Sequence, residues 1–297
     1  MTRPGSRATS FDDGVALDQF LLTKEDFRHI AAMLHEDAGI YLTDDKAMLV
    51  YSRLVKRLRA LGLQSFRDYC ALVSSEAGLD ERQKMLAALT TNVTRFFREP
   101  HHFDHLRKVV LAQRAAAARK GARLRIWSAA CSDGQEPYSI AITILSVIPE
   151  AARLDVKVLA TDIDPNMIAA GLAGIYDEEA VSAVPREFQS KWFTPFDDNG
   201  TKKWRVSKEL SSLVAFRELN LVGAWPIKGK FDAIFCRNVV IYFEKTTQSA
   251  IWTRFEKALT ADGRLYIGHS ERVSGPAEES FIGEGITTYR LRQGDVR

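Results

Sequence analysis

With 297 residues, 41 basic against 38 acidic side chains and a net charge of +3, the chain is long for one domain, comfortable for two and large enough to bury a core. So even a balance excludes the strongly basic character of a dedicated nucleic-acid binder and confines any electrostatic partner to a local patch. Three cysteines, Cys70, Cys131 and Cys236, are too few and too scattered for a disulfide framework and lack metal-ligand spacing, so they read as free thiols in a reducing compartment.

The opening MTRPGSRATS is basic and rich in small residues, and no apolar run of signal-peptide length follows it. Residues 1–20 are expected to be a disordered tail. No long uncharged apolar run appears later, so the expectation is a cytoplasmic protein with no direct membrane insertion. From about Thr23 to Val93 apolar residues recur at spacings of three and four, which predicts a helical domain over residues 21–95. Thr23 before Asp26, and Thr43 before Asp44, Asp45 and Lys46, read as helix entries where short oxygen side chains satisfy free N–H groups. In KAMLVYSRLVKRLRALGL, Leu54, Leu58 and Leu61 form one stripe, Lys46, Arg53, Lys56 and Arg57 another, and Gly62 ends the helix. Six basic residues and no acidic one lie between Lys46 and Arg67, a positive face that composition alone leaves open as either a solvated surface or a docking surface.

The Ala/Arg-rich AQRAAAARKGAR belongs to a linker helix expected over residues 96–122. A second regime then occupies residues 123–297. RLRIWSAA, DVKVLAT, FDAIF and RLYIGHS are short apolar runs separated by helical stretches, which predicts an α/β, doubly wound, mostly parallel sheet. Between about 175 and 217 the alternation breaks, and WFTPFDDNGTKKWRV, with Asn199 and Gly200 between apolar runs, reads as an inserted antiparallel hairpin.

The strand exits carry the chemistry, because open α/β sheets bind ligands at the carboxyl ends of their strands. The first strand leaves through SAACSDGQEPYS, a tight turn at Gly134 that brings Glu136 rather than the glycines of a pyrophosphate cradle. The second ends in ATDID, where Asp162 suits ribose hydroxyls and Asp164 suits a helix cap before Pro165. FDAIF exits through Cys236, Arg237 and Asn238. A ligand with a ribose, a positive centre and a carboxylate for Arg237 fits these groups, and S-adenosylmethionine has all of them.

LTTNVTRFFREPHHF, WSAACSDGQEPYSIAI, ATDIDPNMI, FDAIFCRNVVIYFEKTTQ and GRLYIGHSERV, in that order, resemble the motifs of the CheR family, the chemotaxis receptor glutamate methyltransferases. The resemblance implies an N-terminal all-helical domain followed by a Rossmann-like methyltransferase domain with a small inserted antiparallel β-subdomain. It also implies an enzyme that moves a methyl group from S-adenosylmethionine to receptor glutamates, leaving S-adenosylhomocysteine. Carried over residue by residue, the cofactor contacts fall on Asn92, Thr94, Arg98, Glu136, Asp162, Asn220, Leu221, Arg237, Asn238 and Tyr242. Arg98 and Tyr242 are the candidate catalytic residues, Arg98 to hold the incoming carboxylate and Tyr242 to shape the transfer region. Arg53, Lys56, Arg57 and Arg59 then become candidates for docking the acidic cytoplasmic helices of chemoreceptors. Some family members also bind a tethering peptide at the receptor C-terminus through the β-subdomain, although KWFTPFDDNGTKKWRV lacks the glycine-rich pattern of tethering members.

Three alternatives compete with this reading. A nucleic-acid methyltransferase would carry an Asn/Asp-Pro-Pro-Tyr stretch where this chain has Arg-Asn-Val-Val-Ile-Tyr, so no nucleic-acid partner is expected. A non-catalytic scaffold would bind the cofactor without turnover. A zinc site at His101, His102 and His105 has no second ligand cluster to complete it, so no metal is expected, and with no assembly helix left over the chain is expected to be a monomer.

Overall fold

The computed structural model describes residues 14–15 and 19–292, and the chain forms two compact units, Met1–Thr91 and Asn92–Arg297. The tail expected over 1–20 lies for its larger part outside the described residues. Its end is corrected: Val15 and Leu22 exchange backbone hydrogen bonds of 2.9 Å, and the large apolar ring of Phe20 is buried in the helical core.

The first unit packs helices Lys24–Ala38, Ala47–Leu61, Phe66–Val73 and Leu79–Leu89 around Phe27, Ile30, Leu34, Leu54, Leu58 and Phe66. Thr23 and Asp26 close a reciprocal capping box, as their spacing predicts. Thr43 differs: it precedes a single 3₁₀ turn, Asp44–Lys46, without capping it, and the helix proper starts at Ala47. Gly62 ends that helix in the left-handed region at φ 67°, while Leu61 of the expected apolar stripe is 40% exposed.

The basic face of this helix is only partly free. Arg53 donates to the carbonyls of Leu89 at 2.7 Å and Thr90 at 2.6 Å, capping the end of the helix Leu79–Leu89. Arg57 forms a two-pronged ion pair with the buried Glu81 at 2.8 and 2.5 Å, and the Tyr69 hydroxyl donates to the same carboxylate at 3.1 Å. Lys56 and Arg59 stay exposed. Burial pushes Glu81 up, but Arg57 and Tyr69 outweigh it and hold the carboxyl below its ordinary value. A carboxyl depressed in the folded state adds stability above its unfolded pKa and loses it as pH falls through the folded one. Arg57→Ala should therefore cost about 2 kcal/mol at neutral pH, with a deficit that narrows on acidification as Glu81 takes a proton, measured by urea unfolding across that range.

In the second unit a seven-stranded sheet runs in the order β6-β2-β1-β7-β8-β10-β9. The strands are β1 Leu124–Ala129, β2 Val156–Asp162, β6 Val214–Glu218, β7 Phe231–Cys236, β8 Leu259–Ile267, β9 Phe281–Gly285 and β10 Thr288–Leu291. The five from β6 to β8 are parallel, β10 runs antiparallel to β8, and the edge strand β9 runs antiparallel to β10 and so along the five. Central β7 is buried at every residue, which is why FDAIFC is a near-continuous apolar run.

Two expected boundaries move. The linker helix belongs to this unit: Pro100–His105, Leu106–Leu111 and Ala112–Arg119 follow one another directly, and Phe103, Leu106, Leu111 and Ala118 are buried in the same core as β1 and β2. The inserted sheet ends at Val206 rather than near 217, with β3 Ile175–Asp177, β5 Thr201–Val206 and β4 Phe193–Asp198 in the order β3-β5-β4. Asn199 and Gly200, both at positive φ, form the two-residue turn between β4 and β5. The residues after it, VAFRE, form β6 of the main sheet, an edge strand whose exposed Arg217 and Glu218 hide it from an apolar-run reading.

Candidate functional site

Strand register places the predicted exits side by side: Ala129 of β1 lies opposite both Thr161 of β2 and Cys236 of β7, and Asp162 lies opposite Glu218 of β6. The loop after β1 turns through Ala130, Ser132 and Gly134, all at positive φ. At Gly134 a Cβ would come within 2.9 Å of the Gly171 Cα, so this turn admits no larger residue without displacing the backbone.

Asp162 is buried at the end of β2, its two oxygens accepting from the Ser132 N–H at 2.7 Å and the Asp164 N–H at 3.0 Å, and burial raises its pKa. Asp162 thus clamps the first exit loop to the second. Asp164 caps the helix Pro165–Ala173 through the Asn166 N–H and with its other oxygen accepts from the Asn92 amide at 2.9 Å. The Ser132 hydroxyl donates to the Asn92 carbonyl at 2.7 Å, so Asn92 is tied to both exits. Downstream of Asn92 and the half-buried Thr94, the N–H of Phe96 donates to Gln135 and that of Phe97 to Ser139, each at 3.0 Å. The helix Gln135–Val147 therefore fixes the whole approach to Arg98.

Glu136 accepts from the Ser128 hydroxyl at 2.6 Å and pairs with Arg237 at 3.0 Å. Arg237, expected to meet a ligand's carboxylate, instead bridges two carboxylates of its own chain, Glu136 and, at 3.3 Å, Glu99, and donates to the carbonyl of Arg98. The guanidinium of Arg98 donates to the neutral carbonyl of Val93 at 3.1 Å and forms no ion pair among the described residues. The neighbouring Glu99 does not pair with it, since that carboxylate faces Arg237 and His269, the latter at 3.1 Å with an exposed ring.

Sequence reasoning missed two groups that shape the site from behind. Glu271, buried in the loop after β8, accepts four backbone N–H groups: Asn238 at 2.9 Å and Gly268 at 2.6 Å on one oxygen, Val239 at 2.9 Å and Val240 at 2.8 Å on the other. It holds Asn238 at φ 59° and sets the turn Val240–Tyr242, which leaves Tyr242 half-buried. Arg254, on the helix Lys245–Ala258, donates to the carbonyls of Leu221 at 2.8 Å and Gly223 at 2.6 Å and stacks 3.8 Å from the Trp225 ring, fixing the loop that carries Asn220 and Leu221. The acid in GHSER was a visible signal for Glu271. Arg254 had none beyond its place on an amphipathic helix.

The three histidines do not converge. His105 turns to the Tyr266 hydroxyl at 3.0 Å, whereas His102 is fully buried against Thr287 at 2.9 Å, where burial and the nearby Arg237 lower its pKa to about 3. Glu99, His101 and His102 present atoms within 4.8 Å of one another, but Arg237 lies 3.3 Å from the same Glu99 carboxylate, and its fixed positive charge opposes a cation there. Cys131 and Cys236 are buried, and burial raises both thiols well above their ordinary value, so neither supplies a thiolate.

Chemically, Asp133, Glu136, Asp162 and Asp164 crowd the exits, and the one buried cation among them, Arg237, is already matched by two acids. Such a lining repels phosphate and suits hydroxyls and a positive centre. S-adenosylmethionine fits that chemistry, with Asp162, Asn92 and the loop at Asn220 and Leu221 as the residues that would hold it.

Two family profiles match the chain in tandem: residues 25–90 fit the one described as "CheR methyltransferase, all-alpha domain" and residues 92–289 the one described as "CheR methyltransferase, SAM binding domain". The "Probable chemotaxis protein methyltransferase" of Rhizobium etli is 56% identical over 258 residues, covering 87% of this chain and 96% of that protein. The "Chemotaxis protein methyltransferase" of Escherichia coli K12 is 42% identical over 276 residues, 92% of this chain and 93% of its own. "Chemotaxis protein methyltransferase 2" of Pseudomonas aeruginosa is 42% identical over 254 residues, covering 85% and 88%.

Proposed function

The chain belongs to the CheR methyltransferase family and is an S-adenosylmethionine-dependent methyltransferase, and from that premise we propose that it methylates glutamate side chains of chemotaxis receptors to give glutamate methyl esters. The observation that carries this reading is Arg98, whose guanidinium contacts a neutral carbonyl and keeps its charge for an incoming carboxylate. It acts in the cytoplasm as a monomer. Among the described residues no helix is long and apolar enough to cross a membrane.

When bound, S-adenosylmethionine supplies an electrophilic methyl carbon on a sulfonium. A receptor glutamate, with a reference pKa of about 4.3, is ionised near neutrality and needs no general base. The protein's part is therefore alignment, for which orientation supplies at most about 7 to 11 kcal/mol. Arg98 holds the carboxylate, Tyr242 shapes the transfer region, and Asp162 receives the ribose hydroxyls. Glu136 and Arg237 stand behind them as a buried frame, with Asn238 held beside it by Glu271. In the helical unit, docking of acidic receptor helices falls mainly to Lys56 and Arg59, which are exposed where Arg53 and Arg57 are half-buried. Any tethering peptide would pair with the inserted sheet.

Transfer of a labelled methyl group to receptor-containing membranes, followed by mild alkali, tests the reading. Label released as volatile methanol is expected for a carboxyl ester. Alkali-stable label would mean nitrogen or carbon methylation and overturn the glutamate assignment.

A further inference from the structure

Beyond the cofactor side of β7, the exits of β7 and β8 border a groove of about 890 Å³ between the first turns of the helix Lys245–Ala258 and the loop after β8. That volume is in the range of sites that take a drug-sized group and far exceeds what an ion needs. Its lining includes Ile241, Lys245, Gln248, Ser249, Arg272 and Ser274. Gly275, at φ 75°, closes the rim against the helix, where a Cβ would meet the Ser249 hydroxyl at 1.9 Å.

Two features set the groove apart. Ile241, directly before Tyr242, is 45% exposed, an apolar surface at the groove's edge. Lys245 and Arg272, exposed on opposite walls, make no ion pair or hydrogen bond with any described residue, whereas Arg119, Arg125 and Arg264 of the same unit each pair with an acid. Glu271, the acid of the lining, forms no ion pair with either: it is buried and its oxygens accept from four backbone N–H groups.

We propose that this groove is the seat of the acidic, glutamate-bearing segment of the protein substrate, with Ile241 under its apolar side and Lys245 and Arg272 gripping the acidic residues that flank the target. The inference rests on the proposed glutamate methylation and adds to it the surface of the α/β unit that recognises the substrate. Charge complementarity selects the occupant: two unpaired cations flanking an apolar contact match an acidic amphipathic segment.

The test is K245E/R272E in the full chain, assayed on receptor-containing membranes with receptor and S-adenosylmethionine varied separately. The expected result is a rise of at least about tenfold in KM for receptor and a weaker dependence of that KM on ionic strength. Cofactor affinity and kcat stay unchanged, and K245R/R272K behaves as wild type. An unchanged KM in the reversal, with wild type active, overturns the groove assignment alone. If the reversal also loses cofactor affinity, the milder K245A/R272A decides: a raised receptor KM supports the groove and an unchanged one overturns it. Duplex DNA that binds wild type and not the reversal would overturn the acidic-protein occupant. A wild type that yields no alkali-labile methyl overturns the methylation reading instead, whatever the variant does.

Discussion

Arg237→Met is expected to destabilise the α/β unit by about 3–5 kcal/mol, since it strips the partner from two acids at once. Glu136 is buried, and that burial raises its pKa even with Arg237 beside it. Burial also acts on Glu99, but Arg237, His269 and His102 together outweigh it and hold that carboxyl below its ordinary value. A carboxyl raised in the folded state keeps its proton where the unfolded chain has released it, so its ionisation lowers stability as pH rises between the two values. Without Arg237 both carboxyls move upward and that window widens. The deficit should therefore be greatest at neutral pH and shrink on acidification, as seen in urea unfolding at several pH values. A deficit that is the same at every pH would mean that lost packing on Phe103, rather than unpaired charge, dominates.

Glu271→Ala is the second large effect. It leaves four backbone N–H groups without their acceptor, and at about 1–3 kcal/mol for each buried unsatisfied group, partly relieved by entering water, a loss of about 4 kcal/mol follows. Glu271→Gln should fall between, because the remaining oxygen keeps two donors while the new NH₂ faces the other two. The turn freed by either change carries Asn238 and Tyr242, so transfer at saturating cofactor should drop about a hundredfold, the scale of a misplacement of about 1 Å. Single-turnover methyl transfer on variants shown to be folded separates this from instability, and a variant that is folded yet transfers normally would remove Glu271 from the positioning role.

Much of the architecture was legible because burial writes itself into hydropathy. β1, β2, β7 and β8 are central and buried, and each appears as an apolar run. β6 escaped because an edge strand needs one apolar row only, and VAFRE shows little more than Phe216. The helix from Pro100 read as a linker because its alanines are weak hydrophobes, although Ala115 and Ala118 are buried. At the site, residue types and their places at strand exits were visible, but pairing was not. Arg237 looked like a ligand's partner because nothing local reveals that Glu99, far away in sequence, turns toward it. The basic helix shows the same limit: Arg53 and Arg57 share a face with Lys56, yet their partners, Leu89 and Glu81, come from another helix.

The insertion between β2 and β6 enters and leaves through one doorway. The N–H of Val206 donates to the carbonyl of Gly174 at 2.9 Å, so the last residue of β5 is bonded to the residue just before β3. Everything between forms a closed lobe whose entropy of ring closure is set by that junction and grows only slowly with the lobe's length. Its outer strand β4 exposes Thr194 and Pro195, whereas Tyr176, Trp192 and Phe193 are buried in the core of the parallel sheet. The lobe is thus a cassette: its rim can be lengthened, shortened or exchanged between relatives, provided that the aromatic footing and the Gly174 junction are transplanted with it.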